Sequence, residues 1–121
     1  MKFNATSLRP FIGARDYNHS RQFYTDLGFT EFAIASNMCR FAVNETLSFY
    51  LQDAYVQDWI NNTMLFVEVQ NVQQHYQAML QMGLQERYKN VKLLPIVNRD
   101  WGSEFFLIDP SGILWHFGEF G

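Results

Sequence analysis

The stretch that decides the fold is Trp101–Phe120, WGSEFFLIDPSGILWHFGEF, near the C-terminus. Two runs of β-prone residues flank the segment DPSG, where Pro110 suits the second position of a tight turn and Gly112 tolerates a positive φ. The stretch therefore predicts a strand, a turn and a second strand. The second strand carries His116 among apolar residues. Three interpretations of this histidine are open: a metal ligand, a catalytic group, or a side chain in a ligand pocket.

A weak internal repeat extends this pattern to the whole chain. Residues 14–29, ARDYNHSRQFYTDLGF, align with residues 69–84, VQNVQQHYQAMLQMGL. In the two copies Asp16 and Asn71 are helix N-caps, and Gly28 and Gly83 end the helices. One alternating segment precedes each helix and three short β-prone segments follow it. The repeat predicts two tandem βαβββ modules, at about residues 7–52 and 62–120, in a single α+β domain of residues 1–121. A short helix in AYVQDWI links them.

Composition and charge narrow the classes of partner. The chain has 121 residues, 48% of them hydrophobic and 17% charged, which is a folded, single-domain composition. The net charge of -3 disfavours a nucleic-acid partner and suits neutral or cationic ligands. The only cysteine, Cys39, excludes an intrachain disulfide and a thiolate zinc cluster. The sequence shows no signal peptide and no membrane-spanning run, so we expect a cytoplasmic protein without a membrane partner.

Alternation divides each predicted strand into an aliphatic face and a mixed face, and the aliphatic face is expected to pack on the helices. The helices present apolar stripes at helical spacing: Tyr17, Phe23, Tyr24 and Leu27, and Val72, Tyr76, Met79 and Leu80. The mixed faces together offer Arg9, Phe11, Ser48, Tyr50, Met64, Phe66, Glu68, Leu114 and His116. Such a surface is typical of a small-molecule pocket, and equally of a second core or a dimer interface. A buried ion pair between Arg9 and Glu68 would satisfy both charges.

The segments FIGARDYNHSRQFYTDLGF (residues 11–29) and WGSEFFLIDPSGILWHF (residues 101–117) resemble the vicinal oxygen chelate superfamily, which contains glyoxalase I, extradiol dioxygenases and the bleomycin-resistance proteins. The likeness is strongest to the bleomycin-resistance proteins, whose ending reads W-G-R-E-F-x-L-x-D-P-x-G-x-x-x-H-F. The resemblance implies a cupped mixed β-sheet with the helices on its outer face. It also implies a homodimer whose clefts sequester a cationic or aromatic small molecule without chemistry. The ligand-binding residues that we expect on this basis are Phe32, Tyr50, Phe66, Glu68, Trp101, Glu104 and His116.

The enzymes of this superfamily hold one divalent metal with four side chains, and the resemblance places these positions at Arg9, Tyr50, Met64 and His116. Only His116 is a good ligand, because a guanidinium has no lone pair to donate and a thioether is a soft donor. We therefore expect no metal, no cofactor and no catalysis. The alternatives are a metal-dependent lyase, isomerase or dioxygenase with an atypical site, and an interaction or regulatory module.

Overall fold

The computed structural model describes residues 1–121 and confirms the two βαβββ modules. The first module consists of β1 (Phe11–Gly13), α1 (Tyr17–Leu27), β2 (Thr30–Ala35), β3 (Met38–Ala42) and β4 (Ser48–Gln52). The predicted linking helix is α2 (Gln57–Asn61). The second module consists of β5 (Met64–Glu68), α3 (Val72–Met82), α4 (Leu84–Arg87), β6 (Lys92–Arg99), β7 (Gly102–Ile108) and β8 (Leu114–Phe120). None of these helices is long and apolar enough to cross a lipid bilayer.

Each module forms its own four-stranded mixed sheet, and the two sheets have the same topology. The strand orders are β1-β4-β3-β2 and β5-β8-β7-β6. In each sheet the first strand pairs in parallel with the last, and the remaining pairs are antiparallel. The register is also equivalent, because Phe11 lies opposite Tyr50 and Phe66 lies opposite His116. The weak sequence repeat is therefore a repeat of structure.

The helices begin and end where the sequence predicted. The Asp16 side chain accepts a hydrogen bond from the backbone N–H of His19, and Asn71 accepts one from that of Gln74. Gly28 and Gly83 end α1 and α3 with φ of 110° and 64°, the left-handed region that glycine enters without a steric penalty. The short helix α4 follows directly after Gly83 and has no counterpart in the first module, where β2 follows the glycine.

The apolar stripe of α1 is buried as predicted, but that of α3 is narrower than the sequence indicated. Val72 and Met79 are buried and Tyr76 packs against the core. Leu80, which we expected in the core, is 42% exposed. One residue beyond Met79 is a rotation of about 100° around an α-helix, so Leu80 lies at the edge of the stripe and faces solvent.

A buried hydrogen-bond network joins the DPSG turn to the first module. The Tyr24 hydroxyl donates to Asp109 Oδ2 over 2.6 Å and accepts from Trp115 Nε1 over 2.9 Å. The other carboxylate oxygen of Asp109 accepts from the backbone N–H groups of Ser111, Gly112 and Ile113. Burial raises the pKa of Asp109 and also that of Tyr24. The stretch that decides the fold thus attaches the last strand of the chain to α1.

Candidate ligand-binding faces

The helices cover one face of each sheet and leave the other face uncovered. The core side is formed by residues such as Ile12, Leu51, Leu107 and Trp115, each exposed by 1% or less. On the uncovered side, cross-strand neighbours line up across the sheet. The first row, from the first module, is Phe11, Tyr50, Arg40 and Phe32. The second row, from the second module, is Phe66, His116, Phe106 and Leu94. The predicted division of the strands into two faces is therefore confirmed.

The first row combines aromatic rings with two guanidinium groups. Phe11 stacks on Tyr50 with the ring centroids 4.8 Å apart, and Arg9 Nη1 donates to the Tyr50 hydroxyl over 3.0 Å. The guanidinium carbon of Arg40 lies 4.2 Å from the centroid of the Phe32 ring, within the range of a cation–π interaction. Phe11 and Phe32 are 56% and 46% exposed, so both rings are open to solvent.

In the second row, His116 is held at both ring nitrogens. Its Nδ1 lies 2.9 Å from Glu104 Oε1, and its Nε2 lies 3.4 Å from Met64 Sδ. The other oxygen of Glu104 accepts from Arg99 Nε over 3.0 Å. Because a carboxylate only accepts hydrogen bonds, the Nδ1 atom of His116 carries the proton in this contact. Glu104 is 6% exposed and both of its oxygens are engaged, so its role is to orient His116 and to pair with Arg99.

An exposed aromatic cluster adjoins the second row. Trp101, in the turn between β6 and β7, has its ring centroid 5.8 Å from that of Phe66 and 5.0 Å from that of Phe120. The Phe66 ring lies across Gly118, since a Cβ atom at that position would come within 2.5 Å of Phe66 Cζ. The absence of a side chain at Gly118 therefore leaves the space that the Phe66 ring occupies beside Trp101.

A cavity of about 510 Å³ lies beside β5 and between the modules. Its walls include Leu8, Pro10 and Val43 from the first module and the whole of β5 from the second. Among the predicted ligand-binding residues it contains only Phe66 and Glu68. The cavity has aromatic walls of its own, Phe49, Phe66 and Trp115, but the other residues of the two rows lie outside it, on the open sheet faces.

The predicted site residues thus fall on two surfaces. Phe32 and Tyr50 lie on the first, and Phe66, Trp101, Glu104 and His116 lie together on the second.

The ion pair that we expected between Arg9 and Glu68 is wrong: Arg9 bonds to Tyr50, and the exposed Glu68 takes part in none of the ion pairs. Sequence reasoning also missed Arg40, Phe106 and Phe120. Alternation within β3 and β7 would have placed Arg40 and Phe106 on the uncovered faces.

The buried thiol of Cys39 belongs to the core, as expected. It is 1% exposed, and burial raises its pKa, which keeps it in the unreactive thiol form. Successive residues of a strand point to opposite faces, and its neighbour Arg40 is on the uncovered face. Cys39 therefore faces the helices.

The four positions that bind metal in the superfamily's enzymes do not fit a divalent ion in this chain. They form two pairs, Arg9 with Tyr50 and Met64 with His116. The first pair supplies a permanent cation and a phenol, and the second supplies one imidazole and one soft thioether. Nowhere in the chain do three or more His, Cys, Asp or Glu side chains converge on one point. A tight divalent site needs three or four such donors.

Comparison with known proteins identifies the fold. No protein-family model and no curated protein sequence matches the chain. Among solved structures, it is similar to a bleomycin-binding protein in complex with bleomycin, with a TM-score of 0.80 and 16% identity over 97% of this chain and 100% of that one. It is also similar to the bleomycin-binding protein of Streptomyces verticillus in complex with copper(II)-bleomycin, with a TM-score of 0.78 and 19% identity over 100% and 99% of the two chains.

A putative glyoxalase family protein from Bacillus anthracis has the same fold, with a TM-score of 0.74 and 14% identity over 100% of this chain and 99% of that one. These similarities cover whole chains on both sides. They agree with the resemblance of the two terminal segments to the same superfamily. The chain therefore has the fold of the glyoxalase/bleomycin-resistance/dioxygenase superfamily, in the two-module form of the bleomycin-binding proteins.

Proposed function

We propose that this chain is a small-molecule binding protein of the bleomycin-resistance type, which sequesters an aromatic ligand without chemistry in a cleft between two copies. The observation that carries the proposal is the exposure of phenylalanine on both uncovered faces. Phe11, Phe32, Phe66 and Phe120 are each between 45% and 56% exposed. These rings are grouped with other aromatic residues, since Phe11 stacks on Tyr50 and Phe66 contacts Phe120 and Trp101. Grouped apolar surface of this kind marks a ligand or partner site, because leaving it in water is unfavourable.

Two copies would complete the site. Each isolated sheet presents one uncovered face, and β1 and β5 are edge strands without a second partner. A second chain covers such faces and edges more completely than a small ligand does. In the bleomycin-resistance proteins, which the sequence resembles, the ligand clefts form between the two chains of a dimer.

The proposed contacts follow the chemistry of each side chain. Phe32, Phe66 and Trp101 offer ring faces for stacking, and Tyr50 and His116 offer polar groups. Glu68 is the exposed carboxylate of the set and the one available to a cationic group. Glu104, which we also expected among the ligand-binding residues, acts indirectly by orienting His116, because both of its carboxylate oxygens are engaged.

Binding without catalysis is supported over the enzymatic alternative by the unsuitable donors at the four metal positions. A cytoplasmic location remains part of the proposal, and a single free thiol is compatible with that reducing compartment.

The test compares Trp101→Ala with Trp59→Ala, a matched control on α2 whose side chain is 69% exposed and outside both faces. Isothermal titration against a panel of aromatic antibiotics, bleomycin among them, should show weaker binding by more than about 1 kcal/mol for Trp101→Ala, as expected for an aromatic hot spot. The control should bind normally. Sedimentation at micromolar concentration should give about twice 14.3 kDa.

A folded Trp101→Ala variant with unchanged affinity would remove Trp101 from the site, and a strict monomer would contradict the shared cleft. Elemental analysis of bound metal tests the enzyme alternative. Near-stoichiometric Zn, Mn, Ni or Fe(II) that is retained after buffer exchange and lost in His116→Ala would favour the enzyme.

A further inference from the structure

The uncovered face of the first sheet is positively charged, although the chain as a whole is negatively charged. The whole chain has a net charge of -3. On the uncovered face of the first sheet, however, the charged groups are Arg9 and Arg40, and the strand residues that share this face include no Asp or Glu. Glu31 of β2 lies on the opposite face, where it pairs with Arg21 of α1 over 2.7 Å.

Neither of the two arginines is neutralised within the chain. None of the four ion pairs includes Arg9 or Arg40. Arg9 donates one N–H to the hydroxyl of Tyr50, and Arg40 lies over the Phe32 ring. A guanidinium has five N–H donors, so each group keeps several donors for another acceptor. Both side chains are half-buried, which lowers the surrounding dielectric and strengthens an interaction with an anion.

The two guanidinium groups flank one aromatic surface. Arg9 bonds to the Tyr50 hydroxyl, and Arg40 is the direct cross-strand neighbour of Tyr50. Cross-strand neighbours place their side chains side by side, about 5 Å apart at Cβ. The stacked rings of Phe11 and Tyr50 and the exposed ring of Phe32 lie in the same row. The face therefore combines a flat apolar surface with planar donors that match a carboxylate.

We propose that this face, if the chain binds a ligand as proposed above, selects a planar aromatic acid, whose rings lie on the first row and whose carboxylate binds Arg9 and Arg40. This inference rests on the proposed function and adds the charge of the ligand. It differs from the cationic ligand that the sequence suggested. That expectation came from the net charge of the chain and from the resemblance to the bleomycin-resistance proteins, whereas the charged groups on this face are Arg9 and Arg40. The charge of a face is set by its own unpaired groups, and the net charge of the chain is a poor guide to it.

Three probes that share one ring system and differ in charge test the inference: naphthoate, naphthylmethanol and naphthylmethylammonium. Amide resonances of the full chain, followed by NMR during titration with each probe, give both the affinity and the location of binding. We expect naphthoate to bind most tightly and to shift resonances of β1, β3 and β4. Arg9→Gln and Arg40→Gln should each weaken naphthoate binding by about tenfold or more, as expected for loss of a charge-assisted hydrogen bond.

The control is Arg15→Gln, which removes an arginine outside this face, near Tyr55. It should leave naphthoate binding unchanged, and none of the three variants should alter the binding of naphthylmethanol. Equal affinities for the three probes, or a preference for the ammonium, would overturn the inference and leave the proposed function intact. Failure of all three probes to bind the folded protein would contradict both. Arginine variants that weaken self-association but not naphthoate binding would show that these residues are dimer contacts, which would also overturn the inference.

Discussion

Replacing Asp109 should cost more stability than any other substitution of an acidic residue in this chain. Its side chain is fully buried and accepts four hydrogen bonds, from the Tyr24 hydroxyl and from three backbone N–H groups of the turn. In Asp109→Ala all four donors lose the carboxylate, and only the N–H of Gly112 keeps another acceptor, the backbone carbonyl of residue 109. Two of them, the Tyr24 hydroxyl and the N–H of Ile113, are in buried hydrogen bonds, and the other two are partly accessible to water.

The magnitude follows from the two buried donors. A buried donor left without a partner costs about 1–3 kcal/mol, so Asp109→Ala should lose about 2–6 kcal/mol of the free energy of unfolding. Asp109→Asn keeps an oxygen for the backbone N–H groups and removes a buried charge, but it leaves the Tyr24 hydroxyl without a charged acceptor. Its loss should therefore be close to a single bond, about 1–3 kcal/mol.

Urea unfolding measures these losses, with tryptophan fluorescence, to which the buried Trp115 contributes, as one probe and circular dichroism as a second. Asp53→Ala is the matched control, since Asp53 is exposed and its side chain makes no hydrogen bond; it should change stability by less than about 0.5 kcal/mol. A folded Asp109→Ala variant that loses less than about 1 kcal/mol would refute the argument from buried donors. If that variant does not fold, the Asn variant decides, and stability equal to that of the wild type would refute it as well.

Two further changes test the periphery of the fold and of the site. The Tyr88 hydroxyl donates to Asp26 and is the main cause of the lowered pKa of that carboxyl, so Tyr88→Phe should destabilise the protein at neutral pH by about 1.5–3 kcal/mol, whereas Tyr55→Phe should not. Because Asp26 has a depressed pKa in the folded state, the stability it contributes is present above its ordinary pKa of 3.8 and is lost as the pH falls further. Unfolding curves of wild type and Tyr88→Phe should therefore converge at acid pH, and a difference that persists there would contradict this account. Gly118→Ala should leave the fold intact but displace the partly exposed Phe66 ring, so that aromatic ligands bind more weakly while the unfolding midpoint changes little; unchanged ligand affinity would show that the position of this ring does not matter.

The features that the sequence predicted correctly are determined by residues close together in the chain. The caps at Asp16 and Asn71, the glycines that end the helices, and the turn after Asp109 each depend on a few consecutive residues. The division of a strand into two faces depends only on the alternation of neighbours. These local rules were sufficient for the two-module architecture, because the module repeats them twice, but they did not predict the short helix α4 that follows Gly83.

The contacts that the sequence did not predict depend on how strands align beside each other. Alternation assigns Arg40 to a face but does not say that it lies opposite Tyr50, since the register of β3 against β4 is set by the whole sheet. The state of Glu104 is a similar case. Alternation places it on the uncovered face, but only the positions of Arg99 and His116 show that both of its oxygens are engaged. Leu80, which is exposed, shows that helical spacing also overestimates the width of a buried apolar stripe.

The two modules keep the same packing but present different chemistry on their uncovered faces. On the core side both need aliphatic and aromatic residues of similar volume, which maintains the repeat. On the uncovered side Phe11 and Phe66 are equivalent, whereas Tyr50 corresponds to His116 and Arg40 to Phe106 in the register of the two sheets. If a dimer brings the first face of one chain opposite the second face of the other, each cleft has one wall with arginines and one wall with an imidazole and several rings. A planar aromatic acid of the kind proposed above would then bind between two unlike walls in one orientation, with its carboxylate toward the first module.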